Sequence, residues 1–462
     1  MKPLHNNTVL DLWRDSWLGK RILVVGLGKT GLSCARFLAL HNLDVAVTDT
    51  RMQPPGLDVL ESEYPDVAAF VGGFDVQAFE HADILLVSPG VSLREPLIAE
   101  ARARGVEILG DIELFARLVQ VPVVAITGSN GKSTVTTLVG EMAQYAGRQV
   151  AVCGNIGTPV LDLFDDKYDL YVLELSSFQL ETTDSLHACA ATILNISEDH
   201  MDRYSSLADY SAAKAKIFHG DGTLVVNKDD PRAFATLEMI SAGRKVIYFG
   251  LSEPESENDF GIKKENGQAF ICLGQNILLP VSELRIKGLH NQSNALASLA
   301  LGYVAGLPMS AMLEALRLFT GLPHRCQWLG TYQGVDWYND SKGTNVGATV
   351  AAINGVEADK IVLIAGGQGK GQDFTPLQDA VTNKVRTVVL LGQDAPLIEK
   401  ALANTVPVVY AKDMEEAVAL AAEQAKSGDA VLLSPACASF DMFTGYDQRG
   451  DVFAMWVGKL IR

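Results

Sequence analysis

Residues 121–147, VPVVAITGSNGKSTVTTLVGEMAQYAG, read as an apolar strand, a glycine loop and a helix in succession. The loop GSNGKST, 128–134, has the parts of a phosphate cradle in an irregular spacing. The usual pattern puts its first glycine five residues before the Gly-Lys pair, a place taken here by Ile126, so the nearer Gly128 makes a shorter loop. A strand before it and a helix after it bring backbone N–H groups to a helix N-terminus, where they face phosphates. Lys132 neutralises their charge, and a following hydroxyl, Ser133 or Thr134, suits Mg²⁺. Glu174 ends the next apolar strand, LYVLE, and is placed as a second metal ligand beside the loop.

His200, in SEDHMDRY, follows the strand ATILNI and stands at the C-terminal edge of a parallel sheet, where ligands bind; as a lone histidine it reads equally as structural. Lys214 and Lys216, in YSAAKAKIF, read as ordinary solvated helix lysines.

A second glycine loop lies about a hundred residues upstream. Gly26, Gly28 and Gly31 satisfy GxGxxG between the strand RILVVG and a helix, and Asp49 ends the next strand where a carboxylate suits ribose hydroxyls. By itself this suggests a dinucleotide or a nucleoside diphosphate. No constellation for hydride transfer accompanies it, whereas a set for phosphoryl chemistry follows.

The pattern of strands and helices implies an α/β protein of three domains. The first, 1–110, is a Rossmann-like parallel sheet; the second, 111–321, is a P-loop ATPase-type α/β domain. Within it the polar stretch from 251, with a hairpin turn at Asn266-Gly267, reads as a small β-meander at the edge, and a helix begins near Ser293. TGLPHR, 320–325, marks a linker to the third domain, 322–462, a second Rossmann-like α/β unit with strands in KIVLIAGG, VRTVVLLG, VPVVYA and DAVLLSP. There Arg325, the run NDSKGTN (339–345) and Lys370 supply cations and hydroxyls suited to a site shared across a cleft, with Arg325 placed to clamp a γ-phosphate.

Composition sets the bounds. The 462 residues suffice for about three cores. A net charge of −17 opposes binding to nucleic acid or to an anionic membrane, so an anionic substrate needs local cations. The six cysteines are scattered and form neither a zinc nor a disulfide pattern, which fits a reducing cytoplasm. The N-terminal MKPLHNNTVLDLWRDSW carries charges where a leader needs an apolar core, and no run approaches the ~20 apolar residues of a membrane span.

After about residue 20 the chain resembles the Mur ligases throughout, in GLGKTG (26–31), TDTRM (48–52), SPG (88–90), GDIELF (110–115), ITGSNGKSTVTTL (126–138), CGNIG (153–157), LELSSFQLE (173–181), EDHMDRY (198–204), HNQSNALA (290–297), GLPHR (321–325), NDSKGTN (339–345) and LLSPACASFD (432–441). The resemblance implies a monomeric cytoplasmic enzyme of peptidoglycan precursor synthesis. Its reaction would be the ATP-dependent addition of D-glutamate to UDP-N-acetylmuramoyl-L-alanine through an acyl phosphate. The short loop, Gly128, Ser129, Asn130, Gly131, Lys132, Ser133 and Thr134, would hold the ATP phosphates, with Asn294 at the adenine and Arg325 and Asp340 at other nucleotide groups. Lys29, Thr30, Asp49, Thr50, Arg51, Ser88 and Gly90 would hold the UDP moiety, with Asn155 nearer the reacting end. Thr344, Lys370, Ser439, Phe440 and Tyr446 would receive D-glutamate. One Mg²⁺ would lie near Ser133 and Glu174, and a second would be held by His200 and a CO₂-derived carbamate on Lys214. Gln368 and Tyr446 depart from the family pattern, which has an acid and a phenylalanine there. Of the competing readings, a folylpolyglutamate synthase should lack the domain at 21–110, and a dehydrogenase leaves 127–134 idle.

Overall fold

The computed structural model describes residues 8–236 and 243–461. The first seven residues of the N-terminal segment read above for a leader lie outside them. Among the described residues the strands form three sheets.

The first sheet contains β1 (Arg21–Val25), β2 (Asp44–Asp49), β3 (Ala68–Val71), β4 (Ile84–Val87) and β5 (Glu107–Leu109), all parallel in the order β3-β2-β1-β4-β5. The second contains β6 (Val123–Thr127), β7 (Val150–Gly154), β8 (Leu170–Glu174), β9 (Ala190–Ile193), β10 (Thr223–Asn227), β11 (Val246–Phe249), β12 (Phe260–Glu265), β13 (Gln268–Leu273) and β14 (Asn276–Pro280). Its order is β14-β13-β12-β11-β10-β9-β6-β8-β7, parallel except for the β12–β13–β14 meander at one edge. The third contains β15 (Gln327–Tyr332), β16 (Val335–Asn339), β17 (Ile361–Ala365), β18 (Val385–Leu390), β19 (Val408–Tyr410) and β20 (Ala430–Leu433), in the order β15-β16-β20-β17-β18-β19 with only β15 antiparallel.

The central strands are apolar runs because helices cover both faces of a parallel sheet: β4, β6, β8, β17 and β20 are buried at every residue. Strand order places the loops that follow. In the first sheet the chain leaves β1 toward β2 on one side and returns to β4 on the other. In the second it leaves β6 toward β7 and β8, then crosses to β9. Adjacent loops diverge at such switch points and leave a crevice beyond the strand ends. Both glycine loops sit there, one after β1 and one after β6.

One apolar core runs through the first two sheets, from Trp13, Ile22 and Phe37 to Tyr171, Leu173 and Phe218; Phe115 meets Tyr171 edge-on at 4.9 Å between ring centroids. The third sheet has its own cores on its two faces. Bonds from it to the phosphate loop are polar, as between Asn130 and Asn345. An interface of that kind permits rigid-body motion of the third unit against the others.

The expected hairpin at Asn266-Gly267 is present, with φ of 51° and 79°, the left-handed pair that a tight two-residue turn requires. Three expectations change. The meander occupies 260–280, and 251–259 contains no strand. The helix expected from Ser293 begins at Leu289, because Gly288, at φ +92°, turns the chain into it. The β15–β16 hairpin was not foreseen, although Gln333-Gly334 supplies its turn with φ of 51° and 75°. No helix among the described residues is long and apolar enough to cross a membrane.

Candidate functional site

Between the first two sheets lies a cleft of about 440 Å³. It brings together Lys29, Thr30, Asp49, Thr50, Arg51, Ser88, Gly90 and Asn155, the full set expected around a UDP group, and adds Phe74 and Gln179. A Cβ at Gly31 would collide with the Gly26 carbonyl, so the third glycine of the motif is what lets the helix approach the strand end. Asp49 is nearly buried and its oxygens are already engaged: they accept from Leu27 N at 2.7 Å, Arg51 N at 2.8 Å, and the Arg51 guanidinium at 2.9 and 2.6 Å. Burial alone would raise its pKa, but these donors outweigh it and pull the carboxyl down to about 2. Asp49 thus fixes the glycine loop and aims Arg51. Lys29 reaches across to the second domain's Gly157 carbonyl at 2.6 Å.

A second cleft, about 340 Å³, opens between the phosphate loop and the third sheet. It brings together Asn130, Gly131, Thr134, Asn294, Arg325 and Asp340. Gly131 lies at φ +83°, and a Cβ there would stand 2.6 Å from Asn294 Oδ1. The loop is pinned from beneath: Ser129 N donates to the Asn195 carbonyl at 2.9 Å and Asn130 N to Asn195 Oδ1 at 2.8 Å. The Ser129 hydroxyl turns away from the cleft, donating to the Ser197 carbonyl at 2.9 Å. Asp340 is buried and pushed up to about 7 by desolvation, against the pull of a 2.7 Å bond from the Ser434 hydroxyl.

Three residues lining this cleft escaped the sequence reading. Lys342, an exposed residue of the cleft wall, lies with Nζ 4.0 Å from the Tyr446 ring centroid and is lowered to about 8 by partial desolvation in the cleft and by the nearby Arg325 and Lys132 charges. His290 has a buried Nδ1 with no hydrogen-bond partner among the described residues, and burial takes it down to about 4. Asn291 accepts from Asn294 at 3.2 Å. The runs NDSKGTN and HNQSNALA held their signal, but only the fold shows which members face the cleft.

From the first cleft, Asn155 Nδ2 donates to Glu174 Oε1 at 2.7 Å. Glu174 is buried, and its Oε2 finds no partner among the described residues. Ser133 is buried on the loop helix Lys132–Tyr145. Lys132 Nζ donates to the Gly128 and Ser129 carbonyls at 2.8 and 3.0 Å.

Lys214 overturns the expectation of a solvated lysine: its residue is 1 % exposed, and its Nζ donates to the Gly128 carbonyl at 2.9 Å above the Tyr210 ring. Desolvation, then the Lys132 charge, lowers its pKa well below the ordinary lysine value. Lys216 lies past the helix end and pairs with Asp184 at 3.0 Å, partly in solvent. His200 has a left-handed φ of 57°, lies 3.7 Å from Asp199, and is lowered mainly by desolvation.

The expected D-glutamate set is less compact. Lys370 approaches Asp199 of the second domain at 3.9 Å, and Tyr446 lies under Lys342. Ser439 is buried, while Phe440 is 68 % exposed.

Among the described residues no three of His, Cys, Asp and Glu cluster closely enough to hold a metal unaided. Mg²⁺ does not need such a cage, since it commonly takes one or two carboxylates together with substrate phosphates. The unpartnered, buried Glu174 oxygen fits that habit.

Three family models match in series: Mur ligase MurD-like, N-terminal domain, over 20–110; Mur ligase middle domain, over 126–302; and Mur ligase, glutamate ligase domain, over 324–437. The chain is 55 % identical to the UDP-N-acetylmuramoylalanine--D-glutamate ligase of Pseudomonas syringae pv. tomato, covering 94 % of this chain and 97 % of that one. The corresponding enzyme of Pseudomonas aeruginosa is also 55 % identical, with 95 % and 98 % covered. In fold it resembles the UDP-N-acetylmuramate-alanine ligase of Thermotoga maritima, with a TM-score of 0.58 at 17 % identity over 95 % of this chain and 99 % of that one. With its two glycine cradles set at the switch points of successive sheets and all three family models matched in order, the chain belongs to the Mur ligase family.

Proposed function

We propose that the chain adds D-glutamate to UDP-N-acetylmuramoyl-L-alanine in the cytoplasm, forming an acyl phosphate and releasing ADP and phosphate. One observation carries the reading. The Asn155–Glu174 bond of 2.7 Å ties the cleft of the first glycine loop to the acid that ends β8, the neighbour of the strand leading into the phosphate loop, so a substrate anchored by its UDP end would present its other end to ATP. The activity for which relatives 55 % identical over nearly the whole chain are named supports the choice of substrates.

In this reading the three units are 1–110, 111–321 and 322–462, and the third closes over the other two. Arg51, aimed by Asp49, and Lys29 hold the diphosphate; Thr30, Thr50, Ser88 and Gly90 complete the cradle. Gly128, Ser129, Asn130, Gly131 and Thr134 shape the ATP cradle, Asn294 meets the adenine, and Arg325 and Asp340 meet the rest of the nucleotide. Glu174 and Ser133 on one side, and His200 with a carbamate on Lys214 on the other, would hold Mg²⁺, which when bound offsets charge on the phosphate oxygens.

The alanyl carboxylate attacks the γ-phosphorus, the bond to the β-phosphate oxygen breaks, and ADP departs. Lys132 and Lys342 stabilise charge on the transferring group. The D-glutamate amine then attacks the acyl carbon, gives up a proton, and expels phosphate. Thr344, Lys370, Ser439, Phe440 and Tyr446 would position it as the third unit closes and excludes the water that would hydrolyse the intermediate.

The test is ADP release across UDP-muramyl and folate acceptors with D- and L-glutamate. Release is expected only with UDP-N-acetylmuramoyl-L-alanine and D-glutamate. Release with a folate acceptor, or equal use of L-glutamate, overturns the reading.

A further inference from the structure

We infer that Arg203 is a positioning residue that sets the spacing between the first domain's substrate loop and the His200 centre, an inference resting on the function proposed above. Its side chain is 14 % exposed, and both Nη atoms are bonded. Nη1 donates to the Pro89 carbonyl at 2.9 Å and Nη2 to the Val91 carbonyl at 3.1 Å, the two carbonyls that flank Gly90. Nη2 also donates to Glu181 Oε2 at 2.8 Å. The guanidinium carbon lies 4.1 Å from the Phe178 ring centroid, and that ring meets the His200 imidazole edge-on at 4.8 Å.

The backbone closes the circuit. Arg203 N and Tyr204 N donate to the His200 carbonyl at 2.9 and 3.1 Å, while Ser88 Oγ, at the other end, donates to the Gly26 carbonyl at 2.8 Å. One planar cation therefore links the first glycine loop, by way of 88–91, to the turn that carries His200. The loop and the turn belong to different sheets and share no backbone ladder. A lysine has a single nitrogen at its tip and cannot span two carbonyls and a carboxylate at once, which explains the use of arginine. Fixing this spacing matters because a displacement of ~1 Å at reacting atoms lowers rate by about 100-fold.

Arg203→Lys and Arg203→Met test this in two ways. Amide hydrogen exchange of the full chain, read at 88–91 and 200–204 in each variant, is expected to accelerate at both segments together, at least about tenfold in Arg203→Met and less in Arg203→Lys. Steady-state kinetics should show kcat down about 10- to 100-fold with a raised KM for the muramyl substrate. The KM for ATP and the calorimetric affinity for UDP alone should stay within about twofold, a split that general destabilisation would not give. Arg94→Ala, which removes a separate exposed bond to Ser205 between the same two domains, should leave both readouts near wild type. Unchanged exchange at both segments, or wild-type kinetics in Arg203→Met, overturns the inference. Loss of ATP and UDP binding together in both variants overturns it too. Wild-type protein that releases no ADP with the muramyl substrate overturns the proposed function instead, and the exchange arm still decides the role of Arg203.

Discussion

Lys132 and Lys214 converge on a single oxygen, the Gly128 carbonyl, at 2.8 and 2.9 Å. Two ammonium ions so placed repel each other, and burial decides which yields. Lys214, at 1 % exposure, has its pKa driven well below the ordinary value by desolvation and by the Lys132 charge. Burial and that charge therefore favour the neutral amine beneath the phosphate loop. That is the form able to react with CO₂, forming an N–C bond and losing a proton, to give an anionic oxygen ligand for a hard cation.

Lys214→Ala is accordingly expected to lose nearly all ADP release, with partial recovery in acetate, which supplies a carboxylate to the vacated space. Lys216→Ala, whose ammonium pairs with Asp184 at 3.0 Å, should need no rescue. A carbamate carbon signal in protein incubated with ¹³C-bicarbonate, absent in Lys214→Ala, is the direct check. Full activity of the Lys214 variant would refute the modification.

Lys132→Ala should abolish turnover yet leave calorimetric affinity for the muramyl substrate within a few-fold, because Lys132 does not line the first cleft and none of the described residues lines both clefts. Collapse of that affinity would show that the two cradles act as one site.

Arg51→Ala should raise the KM for the muramyl substrate with little change in kcat, since Arg51 would touch a part that does not react. Loss of a charge-assisted hydrogen bond, worth about 1.5–3 kcal/mol, corresponds to roughly 10- to 100-fold. Asp49→Asn should give a smaller rise in KM by releasing Arg51. It should also remove acid sensitivity: the Asp49 carboxyl is lowered to about 2, so its contribution is complete above an unfolded pKa near 4 and is lost as pH falls toward 2. Urea midpoints at pH 3 and pH 6 measure the difference.

Asp340 has the opposite sign. Its folded pKa, about 7, lies above the unfolded value near 4, so the native state binds the extra proton. Stability from this residue is complete below pH ~4 and declines as pH rises through 7. Asp340→Asn should therefore be more stable than wild type at pH 8 in urea titrations, and show no such gain at pH 4. A constant difference across that range would contradict the assignment.

Asn345→Ala removes the amide that caps the helix Val346–Gly355 at Ala348 N, at 2.8 Å, and bonds Asn130 of the phosphate loop at 3.3 and 3.2 Å. Loss of the cap should destabilise the third unit by about 1 kcal/mol. Asn345→Asp keeps the cap acceptor but loses the Nδ2 donor to Asn130 and to Asp199, at 3.2 and 3.3 Å, so kcat should fall in both variants while only Asn345→Ala loses the cap's stability. Wild-type kcat in both variants would leave capping as the residue's only role.

The chain order of residues determined the apolar central strands, both glycine loops, the hairpin at Asn266-Gly267 and the acid at the end of β8, because each depends on neighbours within a few residues: apolar runs, φ > 0 at glycine, a carboxylate closing a strand. It also carried Lys29, Arg51 and Asn155, through motifs whose members the fold gathers into one cleft. What it could not carry is environment. Lys214 and Lys216 differ by two positions on a polar stretch, and only the packing of that helix against β6 and the phosphate loop buries one, with Tyr210 of the same helix beneath its amine, and leaves the other partly in water. Lys342, His290, Arg203 and Asn345 acquire their roles from partners more than sixty residues away or from a cleft wall built by another domain. Burial, desolvation and contact across domains are properties of the assembled chain, and they alone separate the buried Lys214 amine from the partly exposed Lys216 two residues on.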